Sequence, residues 1–410
     1  MAIIIKKFGG TSVGSIERIR AIAQRIALSH REGDRIVIVV SAMAKTTDEL
    51  FALAFQVSDH PSRRELDMLL TAGERITMSL LSLALQEEGF SSISFTGSQS
   101  GIITDGKHGN ARILRINAFR INEELEKGKI VIVAGFQGVS TDKEITTLGR
   151  GGSDTSAVAL ASYLNADLCE IYTDVEGVYS ADPRIVKNPR FIPEIDYGQM
   201  LALAYNGSKV LHPRAVEFAY QYQVPLVIRS SFSEAEGTLL TNRIKDNNME
   251  DRKITAIAHK DGIICLTLKH TSLASEVLSD WSFEIFKYRF NNGLQTRANG
   301  GKDGSLNIYV EEKYLSEVLY FLSSRNVEVL NRRQGLGFVV LTGIGINLDL
   351  GFLAKTLELT QELDIIEINH SEHTIELLLP QTSVHTCVNI LHDAFISVPK
   401  NPISQDKEIQ

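Results

Sequence analysis

Cysteine is scarce in this sequence. Cys169, Cys265 and Cys387 lie far apart and form no CxxC pair, which excludes a disulfide framework and a thiolate zinc site and fits a reducing cytoplasm. The common nucleotide-binding signatures are also missing. No GxGxxG follows a strand, and no protein-kinase catalytic loop occurs. The nearest approach to a Walker A loop is GIITDGKH, residues 101–108. It places His108 where Ser or Thr should hold magnesium, and Gly109 and Asn110 after it supply no helix start. The histidines show no metal-ligand spacing, and His212, next to Pro213, reads as structural. No apolar run reaches membrane-spanning length. The opening MAIIIKK is too short for a signal-peptide core, and its charge follows the apolar residues instead of preceding them. A formal net charge of -8 argues against nucleic acid as a partner. A soluble cytoplasmic protein of two or three domains is expected from 410 residues, with 43% hydrophobic residues to fill their cores.

The hydrophobic residues that are present form short continuous runs. Residues 2–8, 35–41, 130–135, 168–173 and 225–230 read as buried strands, with a shorter one at 93–95. Helical spacing appears between them, at 16–30, 46–58, 63–88 and 112–127. Continuous rather than alternating apolar strands, separated by helices, predict a largely parallel sheet covered on both faces. Ligands bind such sheets at the carboxyl ends of the strands, where the Gly9 loop, Ser41, Gly135 and Asp174 all fall.

The richest of these strand ends is TTLGRGGSDTSAVALASYLNADLCEIYTD, residues 146–174. A loop with Gly149, Gly151 and Gly152 leads into a small-residue helix over 154–164, for which Ser153, Asp154 and Thr155 are good N-caps. Glycines feeding a helix start make an anion site, because unpaired N–H groups and the positive dipole end face the ligand. Arg150 adds a fixed positive charge. Read alone, the stretch could equally be an ordinary capped turn.

Four segments, in order, then carry a resemblance: KFGGTS (7–12), TTLGRGGSDTSA (146–157), YTDVEGVYSADPR (172–184) and KVLHPRAVEFA (209–219). Together they resemble the aspartokinases, over essentially all of residues 1–245. The resemblance implies a three-layer αβα amino-acid-kinase fold with a mainly parallel sheet, followed by two α+β ferredoxin-like ACT-type units. It implies ATP-dependent phosphorylation of the β-carboxylate of L-aspartate to 4-phospho-L-aspartate, the entry to lysine, threonine, methionine and diaminopimelate. The chemistry is physically consistent. A carboxylate nucleophile is already ionised near neutrality and needs no general base, so catalysis becomes positioning and charge neutralisation.

Roles implied by the resemblance follow residue by residue. Lys7 would bind the transferred phosphate, and Asp154 would orient Lys7 and the magnesium-phosphate cluster. Gly9 and Gly10 would present N–H groups to phosphate. Ser41, Thr47 and Ser153 would line the aspartate site, Glu74 would hold the substrate ammonium, and Arg150 would pair with its α-carboxylate. Thr173, Asp174, Tyr179 and Arg184 would cup the nucleotide, and Lys209 would reach its phosphates. Magnesium would arrive with ATP, with no dedicated protein cage for it. Without the resemblance, Lys6 and Lys7 are strand-end surface lysines and Glu74 is a solvated helix glutamate.

The polar run at 245–252 marks a linker, taken as 246–252 after a catalytic domain at 1–245. Beyond it, strands are expected at 254–268, 305–310, 337–343 and 374–379, and helices at 315–324, 351–363 and 383–395. These make two weakly duplicated units, 253–330 and 331–397, with a loose tail at 398–410. They sit where aspartokinases carry their ACT pair. The loops at 268–273 (LKHTSL) and 345–351 (GINLDLG) lack the Asp-x-Pro-Gly-like turn of the effector site, and 369–373 (NHSEH) only loosely resembles the strand turn opposite. The expectation is a homodimer or higher homo-oligomer with altered or absent inhibition by lysine, threonine or both. Two other readings stay open: a different amino-acid kinase of the same fold, and a nucleotide-binding regulatory protein without turnover.

Overall fold

The computed structural model describes residues 2–31, 33–242, 253–269, 294–297 and 305–397. The chain opens with β1 (Ile3–Phe8), α1 (Ile16–Arg31) and β2 (Arg35–Val40). Three helices follow, α2 (Thr46–Val57), α3 (Arg63–Leu70) and α4 (Ala72–Glu87). Next come β3 (Ser92–Phe95), β4 (Ile102–Thr104), β5 (Ile113–Ile116), α5 (Phe119–Glu126), β6 (Ile130–Ala134), β7 (Gln137–Ser140) and β8 (Ile145–Thr147). The segment α6 (Gly152–Tyr163), β9 (Leu168–Thr173), β10 (Val178–Tyr179), β11 (Phe191–Ile192) and β12 (Glu194–Ile195) leads to α7 (Tyr197–Tyr205) and α8 (Pro213–Tyr222). The half closes with β13 (Leu226–Ser230) and β14 (Thr238–Leu240).

The main sheet has eight strands in the order β12-β14-β13-β9-β1-β2-β6-β3. Its ladders are parallel except for the antiparallel β13–β14 pair. Successive side chains on a strand point to opposite faces, so a continuous apolar run fills two cores at once. On β2, Val37 and Val39 join the core under α5 to α8, while Ile36, Ile38 and Val40 join the one under α1 and α4. The expected three-layer parallel architecture is therefore present.

Four expectations of local structure are corrected. Residues 112–127 are not one helix: β5 pairs antiparallel with β4, and only 119–126 is helical. The i, i+3 spacing of Ile113 and Ile116 fits a helix, but pairing with β4 wins over local preference. The helix expected at 63–88 breaks at Thr71 into α3 and α4. Helix α6 starts at Gly152, with Gly151 rather than Ser153, Asp154 or Thr155 at the cap. Finally, the stretch Arg63–Glu87 is long and apolar enough, at a mean hydropathy of 1.3, to pass as a membrane span. Half of it is buried in the protein, and α4 gives Met78, Leu81 and Leu85 to the core, so the α3–α4 stretch packs inside the protein.

The C-terminal half contains β15 (Lys253–Leu268), β16 (Leu294–Arg297), β17 (Leu306–Glu311), α9 (Leu315–Ser324) and β18 (Val329–Ile344). It continues with α10 (Leu350–Leu359), β19 (Glu367–His370), β20 (Thr374–Pro380) and α11 (Gln381–Phe395). Its strands make one six-stranded antiparallel sheet, β16-β17-β15-β18-β20-β19. Long strands β15 and β18 run through both halves of this sheet, and the expected boundary at 330–331 falls inside β18. Helix α9 covers one half through Leu315, Val318 and Leu322, and α11 covers the other through Val384, Val388 and Leu391. The expected linker and tail, and most of the 268–273 loop, lie outside the described residues.

Candidate active site

Strand β1 ends in Lys7, whose Nζ lies 2.5 Å from Asp154 Oδ1 in the first turn of α6. Both side chains are largely covered, so the pair is poorly screened. The loop after β1 comes close to the loop after β2: a Cβ on Gly10 would stand 2.9 Å from the Ala42 carbonyl oxygen. Only glycine permits this approach, and it sets Gly10 beside Ser41 at the mouth. At the other side, Gly149 and Gly151 take φ of 78° and 66°, and Gly151 caps α6. The first turn of α6 thus faces the cavity with Asp154 on it, a favourable place for a carboxylate.

These elements wall a cavity of about 1240 Å³. Lys7, Gly10, Ser41 and Thr47 line it from the first two strand ends, and Arg150, Ser153 and Asp154 line it from the glycine loop and α6. Glu74, in the first turn of α4, completes it. The expectation of a solvated Glu74 is corrected, because the residue is 3% exposed. Gly73 lets α4 press on the β2 loop, since a Cβ there would lie 2.7 Å from the Ala42 Cβ. The Ala42 N–H donates to Glu74 Oε1 at 3.1 Å, while Oε2 has no hydrogen-bond partner among the described residues. Burial pushes the Glu74 carboxyl up to about 7, against the lowering effect of the backbone N–H bonds.

Lys6 is not a surface lysine either. Its Nζ sits 3.0 Å from Glu170 Oε2, with Arg229 Nε 3.0 Å from the other oxygen, in a nearly buried group. Lys6 and Lys7 point to opposite faces of β1, so the strand's own alternation assigns one to structure and one to the cavity.

The sequence matches the amino acid kinase family over residues 2–230. It is 44% identical over 403 residues to the aspartokinase of Geobacillus stearothermophilus, covering 96% of this chain and 97% of that one. Aspartokinase 2 of Bacillus subtilis is 43% identical over 409 residues, covering 98% and 99%. The chain belongs to the amino acid kinase family, among its aspartokinases. The solved aspartate kinase of Synechocystis is 36% identical with a TM-score of 0.55, covering 98% of this chain and 71% of that one. Escherichia coli aspartokinase III, solved with aspartate and ADP, shares the fold at a TM-score of 0.77 and 24% identity, covering 95% and 99%. The family and the enzyme class expected from the motifs, a kinase, are those found.

Of the residues expected at the nucleotide, Lys7 and Gly10 line the cavity, while Gly9, Thr173, Asp174, Tyr179, Arg184 and Lys209 are not in its lining. Thr173 ends β9 and its hydroxyl donates to Asp174 Oδ1 at 3.2 Å. Tyr179, on β10, donates to Glu176 Oε2 at 3.1 Å and meets Phe191 edge-on. Arg184 forks onto Asp182, with the shortest contact 2.6 Å, and holds that carboxyl down at about 2. Lys209 is exposed in the loop between α7 and α8. Gly9 donates its N–H to the Tyr172 carbonyl at 3.2 Å, which pins the first loop to the end of β9.

Two features escaped the sequence reading. Asp67 in α3 is fully buried in the cavity wall. It accepts from the Thr147 hydroxyl at 2.6 Å and from the Gly109 N–H at 3.0 Å, and meets His108 Nδ1 at 2.8 Å. The broken Walker-like segment therefore holds a carboxylate, not a phosphate. Helix α9 of the C-terminal sheet supplies the outer wall, through Glu317, Tyr320 and Phe321 among others. His212 is structural: its Nδ1 accepts the Arg214 N–H at the start of α8, and burial pushes it down to about 4.

Proposed function

We propose that this protein transfers the γ-phosphoryl group of ATP to the β-carboxylate of L-aspartate, giving 4-phospho-L-aspartate and ADP. The observation that carries this reading is the buried Glu74 carboxylate, with one oxygen unpartnered, in the same cavity as Arg150 and the Lys7–Asp154 pair. A zwitterion with a side-chain carboxylate matches that charge pattern. Its ammonium goes to Glu74, its α-carboxylate to the Arg150 fork, and its β-carboxylate toward Lys7, with Ser41, Thr47 and Ser153 seating the rest.

A β-carboxylate oxygen then attacks the γ-phosphorus in line, and ADP leaves with the bond electrons. Lys7 neutralises the transferring phosphoryl group while Asp154 keeps its ammonium in place. Gly10 and the α6 N-terminus offer N–H groups to phosphate, while Gly9, whose N–H is taken by the Tyr172 carbonyl, holds the loop in place. Thr173, Asp174, Tyr179, Arg184 and Lys209 are proposed for the nucleotide, and magnesium enters as part of the Mg-ATP substrate. E. coli aspartokinase III, solved with aspartate and ADP, supports this substrate pair.

The C-terminal half is proposed as two interleaved ACT-like units that assemble a homodimer in the cytoplasm. E. coli aspartokinase III has been solved with lysine and aspartate. In this chain Gly345 and Asp349, which caps α10, stand where the proline-bearing turn is missing, so weak or altered response to lysine and threonine is proposed.

Aspartyl-hydroxamate formation from ATP, aspartate and hydroxylamine tests the activity, with lysine, threonine or both added to test the regulation. Lys7→Ala should lower turnover by about 10²–10³-fold while nucleotide affinity changes only a few-fold. Nucleotide binding without turnover on aspartate in the unaltered protein would overturn the reading.

A further inference from the structure

Outside the cavity lining, strand and helix bring together three metal-ligating side chains. His259 and Asp261 lie two residues apart on β15, and His385 enters from the second turn of α11. The His385 Nε2 is 3.6 Å from Asp261 Oδ2, and the His259 Nε2 is 3.8 Å from the same oxygen. The two rings stand at 89° with centroids 5.8 Å apart, so neither stacks on the other. All three donor atoms fall within 4.8 Å of one another.

We propose that His259, Asp261 and His385 form a site for one divalent transition-metal ion of the zinc class. Bonds of about 2.0–2.2 Å at tetrahedral to right angles separate donor atoms by roughly 3.0–3.5 Å. The pairs with Asp261 are therefore a few tenths of an ångström from ligating distance. Two imidazoles and one carboxylate favour zinc, cobalt or nickel over magnesium or calcium. Asp261, Gly335, Gln381, Thr382 and His385 line a recess of about 430 Å³, with room for water as the remaining ligand.

The backbone builds the cluster. The register of β15 on β18 shifts between Lys260 and Ile263, and Gly262 takes a φ of 64°, which turns Asp261 out at the bulge. His259 is held firmly, with 16% of its side chain exposed, and its carbonyl abuts Gly207 of the kinase half. His385 is 61% exposed and free to close by a small rotamer change. A bound ion would tie β15, an interior strand of the sheet, to α11, next to the contact of His259 with Gly207 of the catalytic half. The spacing 259, 261, 385 gave no such signal, because the third ligand comes from a different element.

The test uses the full-length, EDTA-treated, nucleotide-free protein. Zn²⁺ is titrated with equilibrium dialysis and elemental analysis, and Co²⁺ with visible absorption, for wild type, Asp261→Asn and His385→Gln. One tight Zn²⁺ per chain, lost by about tenfold or more in affinity in both variants, is expected. Saturating Zn²⁺ should also raise the thermal midpoint of wild type and not of the variants. Neither variant touches the kinase cavity, so hydroxamate turnover should persist without added zinc and shows that each is folded. Absence of a tight site, or a tight site unchanged in both folded variants, overturns the assignment.

Discussion

Replacing Glu74 by Gln separates what the carboxylate does to the fold from what it does for the substrate. Burial raises the Glu74 carboxyl from 4.5 to about 7. Between those two values the folded protein keeps a proton that the unfolded chain has released. Stability therefore falls as pH rises through that window, and the loss is complete above it. The gap amounts to about 3 kcal/mol. Gln is neutral, has the same shape, and can still accept the Ala42 N–H. Glu74→Gln should therefore be more stable than wild type by about 3 kcal/mol near pH 8, with the difference mostly gone near pH 5.

The substrate readout runs the other way. A buried, unpartnered oxygen gains most from an ammonium, and loss of such a charged hydrogen bond costs about 2–3 kcal/mol, or roughly 30–150-fold in the aspartate KM. The KM for Mg-ATP should hardly move. Below pH about 7 the wild-type carboxyl must lose its proton before it binds ammonium, so aspartate affinity should fall about tenfold per pH unit. The variant should lack that slope. Urea denaturation at several pH values, paired with initial rates, gives both quantities. A variant no more stable than wild type at pH 8, with unchanged aspartate KM, would refute the reasoning at both levels.

Other residues make sharper single tests. Gly151→Ala places a Cβ 2.1 Å from the His212 ring at a φ of 66°, so it should destabilise by about 2 kcal/mol or more and lose activity, read by denaturation and hydroxamate assay. His212 is held at about 4 and stays neutral from pH 5 to 8; His212→Asn, which keeps a cap on α8, should leave the shape of the pH–rate profile unchanged. Glu170→Gln removes the charge between Lys6 and Arg229; allowing for the partial exposure of Arg229, a loss of about 3 kcal/mol in urea denaturation is expected. Asp67→Asn should loosen the contacts to His108 and Thr147 and raise the aspartate KM more than the Mg-ATP KM, measured by steady-state kinetics.

How far each part was legible depends on whether its cause is local. Strands β1, β2 and β6 are readable because both faces are buried, which writes a continuous apolar run into the sequence. Strands β10, β11 and β12 have two residues each and exist only through their partners, so no periodicity announces them. In the site, Lys7, Arg150 and Asp154 sit in contiguous glycine-rich segments. The burial of Glu74 is set by Gly73 against Ala42, a contact between α4 and the distant loop after β2. Asp67 gave no signal at all, because its partners lie 41 and 80 residues away.

The same logic bears on how the two halves communicate. The segment between β10 and β11 belongs by sequence to the nucleotide side, but Ala181 and Val186 are buried in the core of the C-terminal sheet. The Ile257 N–H of β15 donates to the Ser180 carbonyl at 2.7 Å, and the Ser180 hydroxyl lies 2.9 Å from His392 Nε2 on α11. Ser180 also accepts the Arg190 N–H at 2.8 Å. Tyr179 and Arg184, the proposed nucleotide residues, flank this anchor. A shift of β15 or α11 therefore cannot leave that loop where it was, since Ser180 is buried and its bonds have no water to replace them. Helix α9 meanwhile forms part of the cavity wall. A movement of the C-terminal sheet is thus passed to the loop that bears Tyr179 and Arg184 through Ser180, and to the cavity wall through the face of α9. Ser180→Ala keeps the backbone bond to Ile257 but removes the hydroxyl bonds to His392 and Arg190, so it should loosen the first route: it leaves the cavity lining intact, and it should raise the Mg-ATP KM while the aspartate KM stays near wild type. Equal effects on both substrates would mean that the loop and the helix move as one body.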